Sequence, residues 1–227
     1  MTIRPSEAPP KPPALATDTR QHLLRCARAA IAAATGAGTR AALQEAIDAV
    51  TGLDAAAGPK AAGVLDEPAA AFVTLTVDGE LRGCMGSLDP DQSVLQAVVA
   101  AATSSAVRDP RFRPVDPGEL PAIHIEVSVL GPRTALAGPE DFRPGIDGVV
   151  VEQGWRAALL LPEVATELGW DAVHMFEAVC QKAGLPRDAW KDAARDGPTR
   201  LYSFRTVRFG GPAVDDPAGV SSSRAPR

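Results

Sequence analysis

The stretch that decides the fold is residues 71–88, AFVTLTVDGELRGCMGSL. Its first seven residues alternate between apolar and polar side chains, which is typical of a β-strand with one face on the core and one toward solvent. Asp78-Gly79 then gives a turn signal, and a second run of strand length follows. The stretch therefore predicts a β-hairpin with antiparallel pairing.

The length of the hairpin loop decides which side chains of the second strand share a face. A two-residue loop would place Arg82 with Val73 and Leu75 on the apolar face, where burying a charge is costly. A three-residue loop from Val77 to Gly79 shifts the alternation by one residue, and we predict this loop. The apolar face would then also hold Leu81, and the polar face would hold Thr74, Thr76, Glu80, Arg82 and Cys84.

The composition is that of an ordinary soluble globular protein. The chain has 227 residues, of which 45% are hydrophobic and 22% charged, enough to bury a core. A net charge of −5 and the absence of a basic run argue against a nucleic-acid partner. No stretch is apolar enough for a membrane span or a secretory signal, so we expect no membrane partner. The odd number and wide spacing of the three cysteines fit a reducing compartment, so we expect a cytoplasmic protein.

Cysteine and histidine usage bears on metals and disulfides. The three cysteines are far apart and form no C-x-x-C pair, which argues against a disulfide framework and a structural zinc site. The three histidines are also scattered, and no phosphate-binding glycine motif occurs. We therefore expect neither a metal nor a bound cofactor.

The rest of the chain predicts helices between pairs of strands. Asp18 caps a predicted helix over residues 18–34, and Ser93 with Gln96 forms a capping box for a helix that ends near Val107. Further strands are predicted at residues 122–130, in a second hairpin joined at Gln153-Gly154, and at residues 201–209. This order is typical of an α+β fold with a mainly antiparallel sheet flanked by helices.

A last helix is predicted after Asp171, with Gly184 just past its end. Helical periodicity places four of its side chains inward: Val173, Phe176, Val179 and Cys180.

Both ends of the chain predict disorder. Residues 1–16 contain five prolines and few hydrophobic side chains, and residues 210–227 are rich in glycine, proline and serine. The predicted organisation is therefore a disordered segment at 1–16, one domain at 17–209 and a disordered tail at 210–227.

Five motifs occur in order along the domain. They are LRGCMGSL (81–88), RDPRF (108–112), LPAIHIEVSVL (120–130), LLLPEVATELGWD (159–171) and CQKAGLPRDAW (180–190). In this order and spacing they strongly resemble the AMMECR domain family, whose prokaryotic members are called AmmeMemoRadiSam system protein A. The resemblance covers roughly residues 18–209. The chain departs from the family pattern at Met85, Glu163 and Gln181, where Ile, Gln and Leu are typical.

The resemblance implies an AMMECR-like α+β domain with a smaller attached subdomain, and the LRGC-x-G segment as its functional element. It also implies two partner proteins, a Memo-like protein related to extradiol dioxygenases and a radical SAM enzyme. It implies no particular reaction.

The residues of the segment suggest where chemistry would occur. Glycine packs nothing in a strand, so Gly83 and Gly86 around Cys84 predict a close approach to the backbone. Cys84 is a candidate nucleophile or attachment point, because a neighbouring guanidinium favours the reactive thiolate. The alternative is that Cys84 is a small packed side chain.

The charged candidates each have two interpretations. Arg82 either anchors a carboxylate or phosphate, or forms a cross-strand pair with Glu126. Glu126 is a candidate general base or half of a structural ion pair. Asp109 and Arg111 either line a pocket or shape the loop after the helix.

Two functional hypotheses follow. In the first, the segment binds and modifies a small anionic molecule or a modified peptide. Arg82, Gly83, Gly86, Ser87 and Arg111 would bind it, Cys84 would react, and Asp109 or Glu126 would assist with protons. In the second, the protein is a non-catalytic adaptor that docks the Memo-like and radical SAM proteins, and the thiol is chemically silent.

Overall fold

The computed structural model describes residues 10–56, 63–89, 91–195 and 197–211. Within these residues the chain forms five α-helices and eight β-strands. The helices are α1 (Thr17–Thr35), α2 (Arg40–Ala56), α3 (Val94–Val107), α4 (Pro162–Leu168) and α5 (Ala172–Lys182). The strands are β1 (Ala71–Val77), β2 (Glu80–Ser87), β3 (His124–Leu130), β4 (Thr134–Ala135), β5 (Gly148–Gln153), β6 (Arg156–Leu160), β7 (Arg200–Phe204) and β8 (Thr206–Gly211).

The strands form two four-stranded sheets in which every described pair is antiparallel. The first sheet has the order β2-β1-β3-β8 and the second β4-β7-β5-β6. The predicted α+β class is therefore confirmed. The residues predicted a single main sheet, whereas the structure has two separate sheets. The second sheet belongs to the smaller of the two parts of the fold.

The main core lies between the first sheet and the helices α1 and α3. The capping box of Ser93 and Gln96 begins α3 as predicted, since each residue's side chain accepts a hydrogen bond from the other's backbone N–H. The alternating apolar side chains of β1 and β3 face this core, as predicted. The largest of them are Val73, Leu75, Ile125, Val127 and Val129.

A second core lies between the second sheet and α5. Phe176 of α5 meets Phe142 and Trp190 edge to face, with ring centroids 5.2 and 5.6 Å apart. Cys180 is buried in this core, as predicted. Val173 is exposed instead of buried, because Met175 takes the inward position in that turn of the helix.

The turn between β1 and β2 has two residues, so the predicted three-residue loop is wrong. Val77 pairs with Glu80, and Asp78 and Gly79 both adopt positive φ. A β-bulge then inserts Arg82, because Leu75 pairs with Gly83 whereas Thr76 pairs with Leu81.

The bulge gives the same shift in alternation as the predicted three-residue loop. Cys84 pairs with Thr74 and lies on its face, as predicted. Leu81 does not join the apolar face and is exposed, since it precedes the bulge.

The predicted strand over residues 201–209 is two strands in different sheets. β7 belongs to the second sheet and β8 to the first, and Arg205 alone separates them. The Arg205 Nε lies 3.4 Å from Oδ1 of the buried Asp147, which anchors this crossing.

The predicted disordered ends fall partly outside the described residues. Residues 1–9 and 212–227 lie outside them. Residues 10–16 instead run along the protein, with Leu15 buried and Pro12 against Gly131. Gly210 and Gly211 complete β8. Across the described ranges, no helix combines the length and apolar character required to cross a bilayer.

Candidate functional site

The face of the first sheet that holds Cys84 looks away from α1 and α3. Thr74 of β1 pairs with Cys84 on one side and with Glu126 of β3 on the other, so these side chains share a face. Cys84 and Glu126 lie two strands apart, roughly 10 Å. Phe72 on the same face packs against a cluster that includes Leu159 and Phe204 of the second sheet. We call this face the inter-sheet site.

Cys84 differs from the other two cysteines in its exposure. It is half-buried, whereas Cys26 and Cys180 are fully buried. Burial raises the pKa of both buried thiols to about 11. Thr74 Oγ1 donates a hydrogen bond of 3.4 Å to the Cys84 sulfur. Of the three thiols, only that of Cys84 is placed for reaction with a molecule from solvent.

Asp109 fixes the backbone around this thiol. One carboxylate oxygen accepts a 2.8 Å hydrogen bond from the Cys84 N–H, and both oxygens accept bonds from the Arg111 guanidinium. These bonds hold the pKa of Asp109 well below its usual range, with the Arg111 side chain as the largest cause. Asp109 is therefore a fixed anion that positions its neighbours. The proton-transfer role predicted for it does not fit this geometry.

Arg111 brings a positive charge to Cys84. Its Nη2 donates a 3.3 Å hydrogen bond to the Cys84 carbonyl oxygen, and its side chain is 54% exposed. Asp109, and to a smaller extent the charge of Cys84, raise the pKa of Arg111. The guanidinium that contacts Cys84 is therefore that of Arg111, through the backbone carbonyl, rather than that of Arg82.

Lys182, the last residue of α5, brings a second positive charge from the other side of the site. Its ammonium group donates a 3.0 Å hydrogen bond to the Leu159 carbonyl of β6. Burial lowers the pKa of Lys182, the neighbouring Cys84 opposes this shift, and the charge of Arg111 adds to it. The hydrogen bond to Leu159 thus holds the Lys182 ammonium group on the second sheet, in the neighbourhood of Cys84 and Arg111.

Arg82 has a different environment from the one predicted. Its Nε and Nη2 hold both carboxylate oxygens of Glu119 at 2.9 Å, and Nη1 and Nη2 donate to the carbonyls of Arg113 and Pro114. Four of its five N–H groups are thus engaged. The predicted cross-strand pair with Glu126 is not formed, and few donors remain for an anion. The clamp on Glu119 fixes the loop before β3.

The two glycines are explained by contacts within the protein. A Cβ on Gly83 would lie 2.3 Å from the Ser105 carbonyl oxygen of α3, and one on Gly86 would lie 2.5 Å from the Phe72 ring. The predicted close approach to the backbone is present, but the atoms that approach the glycines belong to the protein itself and not to a bound molecule. Ser87 hydrogen-bonds the Asp89 N–H, and by strand alternation it lies on the face opposite Cys84.

Glu126 does lie on the inter-sheet site, where it is held by Arg208 of β8. Arg208 Nη2 is 2.6 Å from Glu126, and its Nη1 is 3.9 Å from Glu163 of α4. Burial is the largest of several influences on Glu163 and raises its pKa. A pocket of about 440 Å³ adjoins this group and is lined by both Glu163 and Arg208.

Two residues of the site, Glu163 and Lys182, have no local sequence signal that indicates their position there. In the sequence, Glu163 stands out only as a departure from the family pattern, and Lys182 only as part of the motif at residues 180–190. Their approach to the first sheet depends on how the two sheets pack, which residue spacing does not encode. Among the described residues, no group of three His, Cys, Asp or Glu side chains is arranged to hold a metal ion.

The fold and the site together define an α+β protein in which two antiparallel sheets face each other across a thiol flanked by basic side chains. The AMMECR1 family matches residues 24–209. The chain therefore belongs to the AMMECR1 family.

Two relatives whose names state no activity illustrate the similarity. The fold is similar to the crystal structure of uncharacterized protein PH0010 from Pyrococcus horikoshii, with a TM-score of 0.70 and 33% identity over 86% of this chain and 93% of that one. In sequence alone, PH0010 is 42% identical over 134 residues, 57% of this chain and 63% of that protein. A protein of Methanothermobacter thermautotrophicus is 47% identical over 144 residues, 61% of this chain and 73% of that protein.

Proposed function

We propose that the inter-sheet site binds a small anionic molecule or a modified peptide and that Cys84 reacts with it, as a nucleophile or as an acceptor. The observation that carries the proposal is the half-buried Cys84 with the Arg111 guanidinium hydrogen-bonded to its carbonyl oxygen. Lys182, held on the Leu159 carbonyl of the second sheet, adds a second positive charge to this group. Positive charges beside a thiol stabilise its thiolate and attract anions, and a substrate needs both effects.

Each residue has a role that follows from its contacts. Arg111 and Lys182 receive the anionic group, and Thr74 orients the sulfur through its hydroxyl group. Asp109 is a positioning residue, because it binds both the Cys84 N–H and the Arg111 guanidinium. Glu163 is better suited than Asp109 to carry a proton, since its pKa is raised toward neutrality while that of Asp109 is lowered.

The test compares two alkylating agents of similar size, the anion iodoacetate and the neutral iodoacetamide. The ratio of their rates at Cys84 should be higher in the folded protein than in the urea-unfolded chain, because only the folded site concentrates positive charge at the sulfur. Lys182→Met and Arg111→Met should each lower the ratio. The exposed Lys191 supplies the matched control, Lys191→Met, which should leave it unchanged.

A ratio equal to that of the unfolded chain would remove the anion site from the proposal. Intact mass spectrometry of the protein isolated from its own cells tests the covalent step. An adduct that is present on the wild type and absent from Cys84→Ser supports a reactive Cys84, because serine retains the size but not the nucleophilicity of the thiolate.

We propose as a second candidate a non-catalytic adaptor for a Memo-like protein and a radical SAM enzyme. The observation that favours it is Trp155, which is 89% exposed at the tip of the β5–β6 hairpin. Exposed tryptophans are frequent anchors of protein interfaces. Binding of either purified partner that Trp155→Ala abolishes and Cys84→Ser preserves would favour the adaptor. Retained binding by Trp155→Ala would exclude this anchor.

A further inference from the structure

A second pocket, of about 610 Å³, lies between the two sheets, and we call it the apolar pocket. Its walls include Ala70 and Leu88 at the outer ends of the first hairpin, Leu130 at the end of β3, and Ala157 of β6. This volume is within the range of pockets that bind small molecules, and the lining is mostly aliphatic.

The apolar pocket is separate from the thiol. Leu88 lies four residues beyond Cys84 on the same polypeptide, and the Phe72 ring packs on Gly86 between them. Phe72 also belongs to the cluster that joins the two sheets, with Leu159 and Phe204. A molecule in the apolar pocket is therefore screened from Cys84 by packed side chains, so the two sites are distinct.

One wall of the apolar pocket carries an ion pair. Arg133 Nη1 is 2.6 Å from Glu152 Oε1, and Arg133 Nη2 donates a 2.8 Å hydrogen bond to the Leu88 carbonyl oxygen. These bonds orient the guanidinium and use two of its five N–H groups. The pair as a whole is neutral, and it offers hydrogen-bond donors beside carboxylate acceptors.

We infer that the apolar pocket binds an uncharged small molecule that has an apolar body and an amide group. The amide carbonyl oxygen accepts a hydrogen bond from Arg133, and the amide N–H donates one to Glu152. An amide is the simplest group that satisfies both partners at once. A carboxylate of the same length satisfies only Arg133 and is repelled by Glu152.

The experiment uses octanamide and octanoate as probes of equal chain length, measured by titration calorimetry on the full chain. Octanamide should bind and octanoate should bind more weakly. Ala157→Trp fills the pocket from β6 and should weaken octanamide binding by about tenfold or more, which corresponds to about 1.4 kcal/mol. Ala122→Trp, at an exposed alanine outside the pocket, is the matched control and should bind as the wild type does.

Pro132→Trp blocks the apolar pocket from an exposed loop and gives a second variant if Ala157→Trp does not fold. Cys84→Ser should bind octanamide normally, which separates this inference from the proposed function. Absence of octanamide binding to the wild type, or binding that both tryptophan variants leave intact, would overturn the site. Tighter binding of octanoate than of octanamide would overturn the ligand class.

Discussion

Asp109 and Arg111 form an ion pair of very unequal exposure. The Nη2–Oδ2 distance is 2.7 Å, and the side chains are 2% and 54% exposed, respectively. The buried carboxylate holds an exposed guanidinium against the Cys84 backbone. The loop after α3 and the strand β2 are thereby tied together at the thiol.

Asp109→Asn should lower the free energy of unfolding by about 1–3 kcal/mol, because the amide loses charge-assisted bonds and presents a buried donor where an acceptor is required. Urea unfolding measures the change. Asp66→Asn, at an exposed aspartate, is the control and should have little effect. A variant as stable as the wild type would show that Asp109 does not hold this loop.

Because of Glu119, the protein should lose folding stability as the pH falls into the acid range. Its clamp by Arg82 lowers its pKa from 4.5 to about 2, so the native state binds fewer protons than the unfolded chain across this interval. The contribution of this ion pair to the free energy of unfolding is fully present above pH 4.5 and is lost as the pH falls from 4.5 toward 2. Chemical unfolding at a series of pH values should show a smaller acid loss in Glu119→Gln than in the wild type. Glu80→Gln, at an exposed residue of the same hairpin, should keep the wild-type slope. An identical slope in Glu119→Gln would contradict the role of the clamp.

Gly83→Ala should destabilise the fold by about 1–3 kcal/mol, because the new methyl group would overlap a backbone oxygen that cannot rotate away. Gly52 of α2 has open space around it, and Gly52→Ala should stabilise by about 0.5–1 kcal/mol through helix propensity. Thermal and urea unfolding of the two variants measure the contrast. Tolerance of alanine at Gly83 would mean that α3 does not pack on β2 as described.

The three cysteines should react in a fixed order. At mildly alkaline pH, iodoacetamide should modify Cys84 first, since Cys26 and Cys180 are buried and their pKa is raised to about 11. Peptide mass spectrometry after brief labelling identifies the sites, and labelling in urea gives the reference in which all three react. Faster modification of Cys180 in the folded protein would contradict the burial of its helix.

The sequence predicted the elements whose signals are local. The alternation of β1 and β3 and the capping box of α3 each lie within a few residues, and the structure has them. The face of Cys84 was also correct, although for the wrong reason. A bulge at Arg82 and a longer loop have the same effect on alternation, and only the pairing partners distinguish them.

The features that the sequence did not reveal depend on distant packing. Residues 200–211 have the pattern of one strand, and the change of sheet at Arg205 is visible only once both sheets exist. Lys182 and Arg208 reach the inter-sheet site from α5 and β8, far from Cys84 along the chain. The sequence suggested Arg82 as the cation beside the thiol because the two are close in sequence, whereas Glu119 engages it in the structure.

The single-residue link between β7 and β8 has a mechanical consequence. Because Arg205 is paired with the buried Asp147, the two sheets cannot separate unless this ion pair breaks or the end of β7 or β8 leaves its sheet. A ligand must therefore fit the existing gap between the sheets rather than widen it. The protein would select ligands by size and shape instead of by a hinged closure of the two sheets.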